Sequence, residues 1–123
     1  MNNLKALFLI HIMLVLVSCS KDNPTLELGD SFDVIVSLEV LNPEGINKIE
    51  FQTIENSETI TSADLQNYKS ISFGFNCKGE GLFKVCIYTN NDTICSEHYV
   101  EGGYRPELTC TKDKIAVKEH IGY

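Results

Sequence analysis

Apolar and polar residues alternate along much of this chain, and that period of two constrains its fold more than any other feature. In residues 32–40 the apolar side chains stand at positions 32, 34, 36, 38 and 40. Because successive side chains of a β-strand point to opposite faces, this segment predicts a strand with one buried face. Further segments with strand-like character lie at 46–54, 58–61, 71–77, 82–89 and 92–101.

Turn-forming residues separate these segments, as in Asn42-Pro43-Glu44-Gly45. Residues 62–67 predict the only helix in this region, a single turn capped by Ser62. Short strands at spacings of roughly ten residues, with no long helical segment, are typical of a sandwich. The sequence therefore predicts an all-β fold, an antiparallel β-sandwich of about seven strands.

The segments 82–89 and 92–101 predict a β-hairpin around residues 90–91, an Asn pair that tolerates the positive φ of a two-residue turn. Centring the turn there sets Cys86 directly opposite Cys95 in a non-hydrogen-bonded pair, whose Cα atoms lie ~4.5 Å apart. That separation allows a disulfide. The same register sets Lys84 opposite Glu97, an attractive pair. We therefore predict a Cys86–Cys95 disulfide on the outer face of the sheet.

The first 18 residues have the pattern of a cleaved signal peptide. Lys5 gives a weakly positive start, and positions 6–17 are apolar except for His11. A transmembrane helix needs ~20 apolar residues, and this chain turns polar directly after Val17. Export, rather than a membrane span, is the expected outcome.

The leader ends in Leu16-Val17-Ser18-Cys19, which resembles the lipobox of bacterial lipoproteins. The resemblance implies cleavage before Cys19 and attachment of diacylglycerol and a fatty acid such as palmitate to that cysteine. Each acyl methylene buried in lipid contributes ~0.8 kcal/mol, so two or three chains anchor a protein without a span. The expected membrane contact is therefore the lipid on Cys19.

The sequence predicts that residues 19–25 form a lipidated tether. Within them, Ser20-Lys21-Asp22-Asn23 is similar to the Lys-plus-acidic signal by which some Gram-negative bacteria send lipoproteins to the outer face of the outer membrane. This implies a surface-exposed, outer-membrane lipoprotein. A periplasm-facing position is the alternative, because the usual signal has a second acidic residue where this chain has Asn23.

The rest of the chain has room for one domain, which we place at residues 26–110. Residues 111–123 predict either a last strand through Ile115 and Val117 or a frayed tail.

Four cysteines remain once Cys19 is assigned to lipid, and in an oxidising compartment two disulfides are favoured over free thiols. Four cysteines allow three connectivities. With Cys86 and Cys95 joined in the hairpin, elimination pairs Cys77 with Cys110.

Residues 80–93 resemble the last two strands of immunoglobulin-like and polycystic-kidney-disease-type repeats in bacterial surface proteins. A glycine, an aromatic residue and alternating aliphatic residues lead into a polar turn and a returning strand. The resemblance implies an immunoglobulin-like sandwich over about residues 25–105. The core tryptophan of antibody domains is missing from this sequence.

Motifs for catalysis are missing from the sequence, and so are the usual zinc motifs. His11 leaves with the leader, His98 lies in a predicted strand and His120 is near the end. No nucleophile elbow, zinc-protease motif or phosphate loop occurs. Cys95 and His98 are three residues apart, but no Cys-x2-Cys pair accompanies them. We expect no enzymatic activity, no cofactor and no metal ion.

The charge of the mature chain argues against nucleic acid as a partner. All 17 acidic residues and nine of the 10 basic residues follow Cys19, since Lys5 precedes it, so the formal net charge is −8. Such a chain repels phosphate backbones.

The remaining hypotheses are a surface binding or adhesion module for a protein or glycan, and an accessory subunit of an outer-membrane complex. Tyr88, Tyr99 and Tyr104 are the candidate contact aromatics for the first hypothesis.

Overall fold

The computed structural model describes residues 24–118, so the leader, Cys19 and most of the predicted tether lie outside the described residues. The described residues form nine strands and one short helix, which confirms the all-β prediction. The strands are β1 (Thr25–Gly29), β2 (Val34–Val40), β3 (Lys48–Gln52), β4 (Ser57–Thr61), β5 (Ser70–Phe75), β6 (Glu80–Tyr88), β7 (Thr93–Glu101), β8 (Glu107–Thr111) and β9 (Lys114–Val117), and the helix is α1 (Ser62–Asn67).

The strands form two sheets, with the orders β1-β5-β2-β8-β9 and β4-β3-β6-β7. The four-stranded sheet is antiparallel throughout. In the five-stranded sheet β1 runs parallel to β5 and β8 runs parallel to β2, so the prediction of a purely antiparallel sandwich is wrong. The physical reason for the second pair is that the chain crosses from β7 in one sheet to β8 in the other. There β8 adds to the free edge of β2 and runs in the same direction.

Aromatic rings join the two sheets through a shared core. The rings of Phe51 on β3 and Phe73 on β5 stack with centroids 5.2 Å apart, and those of Phe75 and Phe83 lie 6.2 Å apart. Ile49, Val85 and Ile87 and their buried neighbours complete one continuous hydrophobic cluster. Burial of this apolar surface provides the main driving force for folding.

The sandwich has two distinct ends, which the strand register defines. Thr25 pairs with Ser70, and Ser70 pairs with Glu39 near the end of β2, so β1 begins at what we call the proximal end. The opposite, distal end carries the loops 30–33, 53–56, 76–79 and 102–106, which connect strands at that side. The seven residues of β2 separate the two ends by ~20 Å.

Several strand boundaries differ from the sequence prediction. Phe32 belongs to the predicted apolar face of 32–40, but β2 begins only at Val34 and Phe32 is 80% exposed. β1 and β8 lie outside the segments that the sequence predicts as strands. β9 pairs with β8, so residues 114–117 are a strand and not a frayed tail.

Two local details also differ. The N-cap of α1 is Thr61 rather than Ser62, because the Thr61 hydroxyl accepts a hydrogen bond from the backbone N–H of Asp64, and the Asp64 carboxylate accepts one from the N–H of Thr61. Residues 90–91 do not adopt positive φ. The hydroxyl of Thr89 instead accepts a bond from the N–H of Asp92 and closes the hairpin turn.

Candidate functional site

The hairpin contains the disulfide that its register predicts. β6 and β7 pair with Cys86 opposite Cys95 and with Lys84 opposite Glu97. The two sulfur atoms are bonded, and the Cα atoms of Cys86 and Cys95 lie 4.1 Å apart. Cys86 is only 2% exposed, yet it is not part of the core cluster. The disulfide therefore lies on the outer face of the four-stranded sheet, where Cys86 is covered by neighbouring side chains and Cys95 is exposed.

A polar network covers the same face near the proximal end. Glu50 accepts hydrogen bonds from the ammonium of Lys48 at 2.9 Å, from the hydroxyl of Tyr88 at 2.8 Å and from the amide of Gln52 at 3.2 Å. The ammonium of Lys48 also lies 4.4 Å from the centroid of the Tyr88 ring. The hydrogen bond from Lys48, followed by that from Tyr88, lowers the pKa of the Glu50 carboxyl. Tyr88 is thus engaged within the sheet, which weakens its candidacy as a contact residue.

The predicted Cys77–Cys110 disulfide is not formed, and both residues are buried free thiols. The register explains why. Val34 at one end of β2 pairs with Phe75, two residues before Cys77, whereas Val40 at the other end pairs with Cys110. A disulfide requires Cα atoms within ~7 Å, and β2 spans ~20 Å between these positions. The predicted pairing of Cys77 with Cys110 is therefore wrong, because the sheet holds these two cysteines at opposite ends.

The distal end gathers most of the exposed large apolar side chains. Of seven such residues among those described, five lie along this end: Phe32, Ile54, Leu82, Tyr99 and Tyr104. We call these five residues the apolar arc. Leu41 lies at the proximal end and Val117 on the edge strand β9. The apolar exposure of the described domain is therefore concentrated at one end.

Several members of the arc are neighbours. Ile54, which is 92% exposed, lines with Leu82 a surface cavity of about 260 Å³. Leu82 lies directly opposite Tyr99 across the hairpin. The rings of Tyr99 and Tyr104 meet edge to face with centroids 6.5 Å apart. The Arg105 guanidinium, next in the chain, donates a 2.9 Å hydrogen bond to the carbonyl of Phe32. The arc thus combines neighbouring side chains of β6, β7 and their adjoining loops with Phe32, which is linked to them through its backbone.

Asp33 holds the distal loops together. Its carboxylate accepts a 2.8 Å hydrogen bond from the backbone N–H of Cys77 in the β5–β6 loop. Its carbonyl accepts bonds from the N–H of Gly103 and from the guanidinium of Arg105 in the β7–β8 loop. Three loops that are distant in sequence therefore share one polar residue, which fixes the surface on which Phe32 and Tyr104 stand.

His98 and Cys95 lie on opposite faces of β7, as alternation along a strand requires. The His98 ring stacks on Phe83 at 5.0 Å, and its Nε2 is 2.6 Å from the hydroxyl of Ser96. Burial lowers the pKa of His98. Cys95 is in the disulfide, so the Cys95–His98 spacing does not bring two free ligands together. Residues 24–118 contain no group of three or more His, Cys, Asp and Glu side chains that could hold a metal ion.

Sequence reasoning found two members of the arc, Tyr99 and Tyr104, and missed the other three. The alternation of residues 32–40 predicts a buried Phe32, and Ile54 and Leu82 fall in predicted strands that carry no predicted surface role. The signal that could have identified Ile54 is its position beside Glu55 and Asn56, a polar turn in which an aliphatic residue has little opportunity for burial.

Within the part of the chain that the structure describes, no helix has the length and apolar character that crossing a membrane requires. Comparison of the sequence with protein-family models and curated proteins, and of the fold with solved structures, finds no match.

Proposed function

We propose that this protein is a bacterial outer-membrane lipoprotein, anchored through Cys19, whose β-sandwich is a non-catalytic module that binds a protein or glycan at the cell surface. The observation that carries the proposal is the apolar arc at the distal end of the sandwich. Single apolar side chains scattered over a surface are common, but their concentration at one end is typical of an interaction site.

The direction of the chain supports this proposal. β1 begins at the proximal end, and residues 19–24 connect its first residue, Thr25, to Cys19. Lipid on Cys19 would therefore hold the proximal end towards the membrane. The arc would then face away from the bilayer, with the ~20 Å length of β2 between it and the end at which β1 begins.

We also propose that the sandwich is of the immunoglobulin-like type. Such folds pair strands B and E in one sheet and strands C, F and G in the other. Assigning β2 and β5 to B and E, and β3, β6 and β7 to C, F and G, is consistent with the observed sheet orders. β4 then corresponds to the additional strand C′ of variable-type domains. The departures are β1, which lies beside β5, and β8, which takes the edge of β2.

The anchoring part of the proposal is tested by metabolic labelling with a clickable palmitate analogue. The wild-type chain should incorporate the label and sediment with membranes. Cys19→Ala should lose both properties, because it removes the thiol that forms the thioether. Cys110→Ala, which removes a buried cysteine of the folded domain, is the matched control and should keep the label. Labelling of Cys19→Ala equal to wild type would contradict lipidation at this residue.

The binding part is tested with a photo-crosslinking amino acid placed at Phe32 on intact cells. The matched control position is Leu41, which is exposed on the proximal end. Adducts at position 32 that are absent at position 41 support recognition by the distal end. Mass spectrometry of these adducts identifies the partner. If the partner is an envelope protein of the same cell, present in constant stoichiometry, the chain is an accessory subunit of a complex. Equal adduct yields at the two positions would contradict a distal binding surface.

A further inference from the structure

Two carboxylates of like charge lie opposite each other beside the arc. Glu80 on β6 pairs with Glu101 on β7 in the hairpin register. Like charges directly opposite on neighbouring strands destabilise a sheet. Neither carboxylate has an ion-pair partner among residues 24–118. The domain therefore retains at this point a repulsion that its own described cations do not offset.

The hydroxyl of Tyr99 lies near both of these carboxylates. The hydroxyl of Tyr99 donates a 2.6 Å hydrogen bond to Glu101, and Glu80 approaches the same hydroxyl from the neighbouring strand. The ring of Tyr99 then meets that of Tyr104. Carboxylates beside aromatic rings suit a guanidinium or ammonium group, because the charge pairs with the carboxylates and the cation is also attracted to the ring face.

The charge of the whole distal end has the same sign. Its four loops together with Glu80 and Glu101 hold five acidic residues, Asp30, Asp33, Glu55, Glu80 and Glu101, against the two basic residues Lys78 and Arg105, a negative excess of three. Arg105 directs its guanidinium to the carbonyls of Phe32 and Asp33. The apolar arc is therefore set in a negative field, which attracts cationic partners and repels anionic ones.

We propose that the distal end docks a basic segment of a partner protein, one that carries Arg or Lys side chains next to apolar ones. The apolar side chains of the segment cover Ile54, Leu82 and Phe32. Its cations lie at the Glu80–Glu101 pair and over the tyrosine rings. This inference rests on the proposed function, since it names the partner class for the same surface. Charge complementarity favours such a segment over a neutral glycan, which carries no positive charge to pair with Glu80 and Glu101.

The experiment measures fluorescence anisotropy of three labelled ten-residue peptides with the full chain in nonionic detergent, and detergent alone serves as the blank. The peptides alternate Arg with Leu, Glu with Leu, and Arg with Ser. The Arg–Leu peptide should bind at least about tenfold more tightly than either of the others, because it alone meets both the charge and the apolar surface. Its affinity should fall as salt is raised.

Two matched double variants locate the effect. Glu80→Gln/Glu101→Gln should weaken Arg–Leu binding about tenfold while leaving the melting temperature equal or higher, because it removes a like-charge pair. Glu44→Gln/Asp113→Asn makes the same change of charge at the proximal end and should alter the affinity less than about twofold. A folding defect would lower the melting temperature, so it is separable from a binding defect.

Other results overturn the inference in distinguishable ways. Equal binding of the Arg–Leu and Glu–Leu peptides, both lost in Phe32→Ser/Tyr104→Ser, would refute a basic partner while still supporting the distal binding surface. Binding of an oligosaccharide but of none of the peptides, lost in the same double variant, would also refute a basic partner and support the distal binding surface. Absence of all peptide binding refutes the basic-segment assignment, whereas the proposed function is judged separately by crosslinking at Phe32.

Discussion

The carboxylate of Asp33 accepts a 2.8 Å hydrogen bond from the backbone N–H of Cys77, which joins two distal loops 44 residues apart in sequence. The carbonyl of Asp33 also accepts bonds from Gly103 and Arg105. One residue thus links the loops that follow β1, β5 and β7. Because these loops carry Phe32, Tyr104 and part of the cavity beside Ile54, the shape of the proposed binding end depends on Asp33.

Replacing Asp33 should therefore destabilise the domain. Asp33→Ala leaves the part-buried N–H of Cys77 without its acceptor, which should lower the free energy of unfolding by about 1–3 kcal/mol. Asp33→Asn keeps an acceptor oxygen and should cost less. Urea denaturation measures both. Asp30→Ala, an exposed acid in the same loop, is the control and should change stability by less than about 0.5 kcal/mol. Equal losses for Asp33→Ala and Asp30→Ala would contradict the linking role.

The Cys86–Cys95 disulfide should contribute measurably to stability. The two cysteines are separated by 9 positions in the sequence, and for so short a loop the chain-entropy argument gives about 2.6 kcal/mol. Cys86→Ala/Cys95→Ala should lower the midpoint of urea denaturation accordingly. Wild-type protein in reducing buffer should approach the same value, and the double variant should not respond to reductant. Peptide mapping without reduction should recover the 86–95 link, and recovery of an 86–77 link would refute the observed register.

This hairpin was predictable because its information is local. The turn, the facing cysteines and the Lys84–Glu97 pair all lie within about twenty residues, and they agree on one register. The absence of a Cys77–Cys110 disulfide was not predictable in the same way. The distance between these cysteines depends on how β2 pairs with two strands that are remote in sequence. Alternation shows that a segment is a strand, but it does not say which strand lies beside it.

Alternation also fails to identify most residues of the apolar arc. Phe32 continues the alternation of 32–40, so the pattern favours burial, but β2 starts two residues later and the ring remains outside the core. β1 carries only Leu26 and Leu28 as partly buried apolar residues, too few to stand out in the sequence. Ends of strands depend on tertiary packing, and the candidate site is built from strand ends and loops.

The free thiols of Cys77 and Cys110 should differ in reactivity. Burial raises the pKa of the Cys110 thiol to about 12, so almost no thiolate exists at pH 8. Iodoacetamide should therefore modify Cys110 only after unfolding in urea. Cys77 lines the distal cavity and should react faster in the native state. Intact mass after timed alkylation, followed by peptide mapping, measures both rates. Native labelling of Cys110 at the rate of Cys77 would show that its strand is not buried as described.

The stability of the domain should fall as the pH drops below neutrality, through His98. Burial holds the pKa of His98 below its ordinary value of 6.5, with Phe83 stacked on the ring and Ser96 bonded to Nε2. The unfolded chain therefore takes up a proton before the folded chain does. The contribution of His98 to the stability of the folded domain is fully present above pH 6.5. It is lost as the pH falls from there through the folded-state pKa.

His98→Gln isolates this contribution, because glutamine does not titrate and retains groups that can bond to Ser96. Melting temperatures measured between about pH 7.5 and pH 5.5 avoid most carboxyl titration. Over that range the wild-type value should fall more steeply than that of His98→Gln. Adding salt should leave the difference largely unchanged, since its cause is desolvation of the ring and not an exposed ion pair. Parallel curves for the two proteins would mean that His98 is as well solvated in the folded state as in the unfolded chain.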